Sequence, residues 1–110
     1  MISSTVEAQE CTEQLARFFP MLPAVRIPVR VVFRRSGQAR GQEMTIVEYA
    51  TPDYAIFLSR LALEFDDRVD LVREGGRPAE AAVIALQYQA GSKAVAVRFL
   101  NGPCEWMGKP

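Results

Sequence analysis

The chain has 110 residues, 49% of them apolar and 24% charged, a balance that fits one folded domain and excludes a disordered or fibrous polymer. Thirteen Lys and Arg offset thirteen Asp and Glu, so no global field draws the chain to nucleic acid or to an anionic membrane. Histidine is absent, and the two cysteines, Cys11 and Cys104, stand near opposite ends with no CxxC; this argues against zinc and assigns no metal or other cofactor.

A chain of this length buries roughly 65% of its unfolded surface, enough for one core without staples. No apolar run reaches the roughly 18 residues needed to cross a bilayer. The start, "MISSTVEAQE", lacks the basic and apolar regions of a secretory signal. The expectation is a cytoplasmic chain with free, buried or partly buried thiols.

In chain order, Ser4-Thr5-Val6-Glu7 fits a capping box. "EAQECTEQLARFFP" then sets Cys11, Leu15, Phe18 and Phe19 on one side at helical spacing, with Glu7, Gln9, Glu10, Glu13 and Arg17 opposite. Pro20 and Pro23 stop the helix, which leads into an extended arm. The stripe predicts packing on the chain's own body first, and presentation to a partner second.

From Ile27 the period changes to two. Val29, Val31 and Phe33 alternate with Arg30, Val32 and Arg34. "RSGQARG" predicts a hairpin tip, "QEMTIVEY" a second strand, and "YAIFLS" a short third. "SRLALEF" fits a strand running into a loop. "RVDLVRE" carries Val69, Leu71 and, after a phase change, Val72; Gly75-Gly76 predicts a tight turn. "AEAAVIALQYQ" places Ile84, Leu86 and Tyr88 on one face. After Ala90-Gly91-Ser92 the chain returns through "KAVAVRFL" with Val95, Val97 and Phe99 together. Six short strands with tight turns predict a mainly β fold, an antiparallel barrel behind a short N-terminal helix. The division is helix and arm over residues 1–22 and barrel over 23–110.

Four stretches, in order, resemble a known family. "RIPVRVVF" resembles the run into the first strand of a PilZ domain, the bacterial cyclic di-GMP receptor fold. "TIVEYATPDYAIFL" resembles that family's second strand, loop and third strand. "FDDRVDLV" resembles its step into the next strand, and "AVAVRFLNGPCEW" its closing strand with a following aromatic. The resemblance covers roughly Arg26 to Trp106 and implies a six-stranded PilZ-like barrel.

It also implies where a ligand would sit. The family grips cyclic di-GMP with R-x-x-x-R at the first strand and D/N-x-S-x-x-G on the loop between strands two and three. Arginines suit phosphate oxygens and guanine faces. Arg26 and Arg30 fit the first element literally; in an alternative register Arg26 is the second arginine, Leu22 takes the first place, and Arg30 is an outward strand residue. The second element is degenerate: Glu48 replaces the shorter acid, Ala50 the serine and Asp53 the glycine. A lost hydroxyl and an added carboxylate would together weaken binding about a hundredfold, unless Thr51 restores the hydroxyl.

The bland readings stand beside these. Arg30 and Arg34 fit the solvated face of a strand. Asp66, Asp67 and Asp70 fit a charged turn better than a cation site. Cys104 fits an inert thiol, and Trp106 a plug on the barrel. The expectation is a non-enzymatic adaptor with weak or no cyclic di-GMP binding, acting on another protein. The resemblance implies motility or pilus machinery as that partner. The alternative is a working receptor for cyclic di-GMP or another phosphate ligand through Arg26 and Arg30.

Overall fold

The computed structural model describes residues 11–19 and 21–107. A short helix, α1, occupies residues 11–16. Six strands follow: β1 (Ala24–Arg35), β2 (Gln38–Ala50), β3 (Tyr54–Leu58), β4 (Arg68–Val72), β5 (Ala79–Gln89) and β6 (Ser92–Phe99). All neighbouring pairs are antiparallel, and the sheet closes on itself in the order β1-β2-β3-β6-β5-β4. Closure gives every strand two neighbours, which reduces the edge exposed by an open antiparallel sheet. The expected fold class is the observed one. The capping box at residues 4–7 lies outside the described residues.

Strand alternation builds the interior. Val29, Val31 and Phe33 of β1, Phe57 of β3, Val69 and Leu71 of β4, and Val95 and Val97 of β6 are buried in one cluster. Cys104 and Met107 join it, and Trp106 packs against it, so the tail after β6 plugs one end of the barrel. A second cluster lies on the outside. Cys11 and Leu15 of α1 cover Ile56 of β3 and Ala94 and Ala96 of β6, with Phe19, Leu22 and Tyr49 alongside. The alanines let the helix approach closely, and β3 and β6 become buried on both faces. The apolar stripe of α1 therefore packs on its own barrel. Phe18 departs from the expectation: it is exposed, because the helix ends at residue 16 and the chain turns before Phe18 can face the sheet.

Two connections and one strand differ in detail from the sequence reading. The β1–β2 tip is only Ser36 and Gly37, with φ of 56° and 78°; Arg35 pairs with Gln38, and "QARG" belongs to the strand. Two left-handed residues give the hairpin turn whose twist matches its strands. The β4–β5 connection is longer than a two-residue tip and contains a reverse turn closed by the Gly76 amide on the Arg73 carbonyl at 2.8 Å. In β5 a register shift between Val83 and Ala85 splits the expected face. Ile84 packs outside beneath α1, and Leu86 packs against the interior, as a bulge requires.

Candidate functional site

The corner where the family's grip is expected can be built residue by residue. On β1 the odd positions 27 to 33 are buried, so Arg26 and Arg30 share the exposed outer face. Four residues of strand separate them by about 13 Å. The ladder is irregular between Ala24 and Ile27, and Val25 and Arg26 stand opposite Glu48. Arg30 sits farther along, where its guanidinium donates to Gln42 Oε1 at 3.1 Å. Leu22, the alternative first position, is packed in the cluster beneath α1.

Each position of the degenerate loop is engaged by the fold itself. The Thr12 hydroxyl, on α1, donates to Glu48 Oε1 at 2.9 Å. Ala50 is fully buried and belongs to the barrel interior; a hydroxyl at position 50 would face the core. Thr51 Oγ1 accepts the amides of Asp53 and Tyr54, each at 3.2 Å, while the Thr51 amide donates to the Tyr54 carbonyl at 2.9 Å. The threonine thereby closes its own turn. The turn is pinned to its neighbours as well: Phe99 N–H donates to the Asp53 carbonyl at 3.0 Å, and Cys104 N–H to the Pro52 carbonyl at 2.8 Å. The Asp53 carboxylate is left at the exposed surface.

The other reactive residue types are also accounted for. Burial pushes the Cys11 thiol up, against a hydrogen bond from the backbone at Ala94 that lowers it; the nearby Glu48 charge adds to the rise. Burial likewise raises Cys104 over the opposing backbone hydrogen bonds of Met107 and Trp106. Both are free and buried, in the environment of inert thiols. Asp66 pairs with Arg68 at 2.9 Å, Asp67 with Arg35 at 3.1 Å and Asp70 with Arg34 at 2.7 Å. Asp66 and Asp67 lie in the turn before β4 and Asp70 within β4, each paired with an arginine.

The opposite half of the barrel carries a surface that the sequence reading did not pick out. Among the described residues, those of α1 cover β3 and β6 and leave the outer face of β2, β1 and β4 open. Met44, Arg30 and Val72 form one row across the three strands, and Gln42, Val32 and Asp70 the next; Ile46 pairs with Pro28 beyond them. A groove of about 450 Å³ lies there, lined by Pro28, Arg30, Met44, Val72, Arg73 and Glu74 among others. Met44 is 70% exposed.

This face arises from an inverted pattern in β2. Val47 is buried inside, which fixes Thr45 and Glu43 on the inner side and Met44 and Ile46 on the outer. The inner polar groups are used at the barrel end. Thr45 donates to the Leu58 carbonyl at 2.7 Å, and Glu43 accepts the Ser59 hydroxyl and the Arg60 amide. Gly41 lets Leu61 come close, since a Cβ there would stand 3.3 Å from its Cδ2. The phase of Val47 relative to Met44 was the one signal in the sequence that could have exposed this inversion.

Neither a family model, nor a curated protein, nor a solved structure matches the chain. Among the described residues no helix is long and apolar enough to cross a membrane.

Proposed function

We propose that this chain is a PilZ-like, non-enzymatic regulatory domain that acts through contacts with another protein and has no tight hold on cyclic di-GMP. The observation that carries the reading is the use of the expected ligand loop by the fold itself. Glu48 is held by Thr12, Ala50 lies inside the barrel, and Thr51 caps its own turn. The four stretches that resemble the family fall, in order, on β1, on β2 through β3, on β4 and on β6. Buried thiols and ion-paired carboxylates support the non-enzymatic part. Motility or pilus machinery is the partner class that the resemblance implies, with a cytoplasmic place of action.

A second reading keeps Arg26 and Arg30 as contacts for cyclic di-GMP or another phosphate ligand. It is favoured by their common exposed face and by the neutral partner, Gln42, that Arg30 has among the described residues. Thermal unfolding with and without the dinucleotide separates the two. A receptor with micromolar affinity gains about 2.7 kcal/mol at a hundredfold excess over Kd, a rise of several degrees. The adaptor reading expects no rise in the wild type and none in Arg26→Ala. A rise that Arg26→Ala abolishes supports the receptor.

A further inference from the structure

We propose that the uncovered face of β2, β1 and β4 docks an extended, acidic segment of a partner protein, a reading that rests on the adaptor function above and names its surface. The face offers apolar contact at Pro28, Val32, Met44 and Val72, in adjacent rows of a continuous ladder. Its charge is mixed, with arginine in excess. Arg34 and Arg68 are already paired with Asp70 and Asp66. Among the described residues Arg30 bonds to the neutral Gln42, and Arg73 lines the same groove together with Glu74. Arg26 extends the row on the same outer face. A chain with zero formal charge thus gathers an excess of arginine around its exposed apolar stripe, which calls for carboxylates opposite.

The dimensions choose the kind of occupant. From Pro28 to Arg34 the stripe runs about 20 Å, and three strands give about 10 Å of width. A second folded copy needs about 800 Å² per partner for a stable interface, far more than this stripe supplies. A single extended segment of six to eight residues fits its length. Such a segment lies across the sheet face and is held there by its side chains.

The test uses the full chain, isotope-labelled, and amide chemical shifts. The probes are an eight-residue peptide alternating leucine and glutamate, and its leucine–lysine counterpart. The glutamate peptide is expected to shift residues 28–34, 42–46 and 70–76, at least tenfold more tightly than the lysine peptide. Arg30→Glu with Arg73→Glu should weaken it tenfold or more while the remaining spectrum keeps its dispersion, and Met44→Leu should retain it. Equal binding of both peptides, shifts confined to the α1 side, or no shifts overturn the proposal. So does concentration-dependent self-association mapped to this face, which would make a second copy the occupant. Cyclic di-GMP added to the same sample tests the parent reading separately. Shifts at Arg26 and residues 48–53 sink the adaptor function and leave peptide docking standing; peptide failure with no dinucleotide shift sinks only the docking face.

Discussion

The hydroxyl of Thr12 reaches the carboxylate of Glu48 across 2.9 Å, tying α1 to β2 at the position where a ligand contact was expected. Thr12 is fully buried and Glu48 half-buried, so the bond is partly shielded from water. Thr12→Val is expected to lower the unfolding free energy by about 1–2 kcal/mol, read from the denaturant midpoint at constant slope. The same variant should speed the reaction of Cys11 with a thiol reagent, because Cys11 sits on the helix that the bond holds down. Unchanged stability and unchanged thiol reactivity would show that the bond does not anchor the helix.

The alkaline limb of stability follows from three groups. Burial raises Cys11 and Cys104, and raises Tyr49 with help from the charges of Glu13 and Glu48. In each case the folded state holds its proton to higher pH than the unfolded chain does. Above about pH 8.5, where free thiols begin to ionise, the unfolded state therefore binds fewer protons, and stability falls as pH rises toward the folded values. Below that pH the contribution is complete and flat. Denaturation at fixed salt between pH 7 and 10.5 should show the decline, and Tyr49→Phe should make its upper part shallower. A stability that rises over this range would contradict the assignment.

The two faces of the barrel should respond differently to truncation. Leu71→Ala removes a fully buried side chain from the interior and is expected to cost about 2–5 kcal/mol. Met44→Ala removes a mostly exposed one from the open face and should change stability by no more than about 0.5 kcal/mol. Equal costs would place Met44 in the folding core and remove it from the binding surface.

The β5–β6 tip contains Ala90 and Gly91, both left-handed, with φ of 51° and 84°. An alanine in that region carries backbone strain of about 1 kcal/mol that glycine or asparagine avoids. Ala90→Gly should therefore stabilise the chain modestly, or leave it unchanged once glycine's unfolded entropy is counted. Gly91→Val should destabilise it by more than about 1 kcal/mol. Thermal unfolding of the pair checks the order.

Much of the barrel was legible because its strands obey one rule. Val29, Val31 and Phe33 alternate with outward residues, and Val95, Val97 and Phe99 do the same, so period alone set their faces. The rule failed where a bulge changed phase, as at Ile84 and Leu86, because one inserted residue flips every later side chain. It failed at Phe18 because a helix period carries no information past the end of the helix. The candidate site was less legible. That Ala50 faces the core depends on the register shift between Val47 and Tyr49, which no local pattern announces. The open face depends on three strands that meet only in the closed sheet, with Arg30 beside both Met44 and Val72. Residues 14 and 42 apart in sequence come together through topology, and periodicity within one strand does not show it.

Calorimetric titration of cyclic di-GMP into the full chain tests the central claim most directly: the fold has taken up the positions a nucleotide would need. The account expects no saturable heat with ligand up to about 100 μM, a binding free energy weaker than about −5.5 kcal/mol. A saturable isotherm with micromolar or tighter affinity, lost on Arg26→Ala, would contradict it.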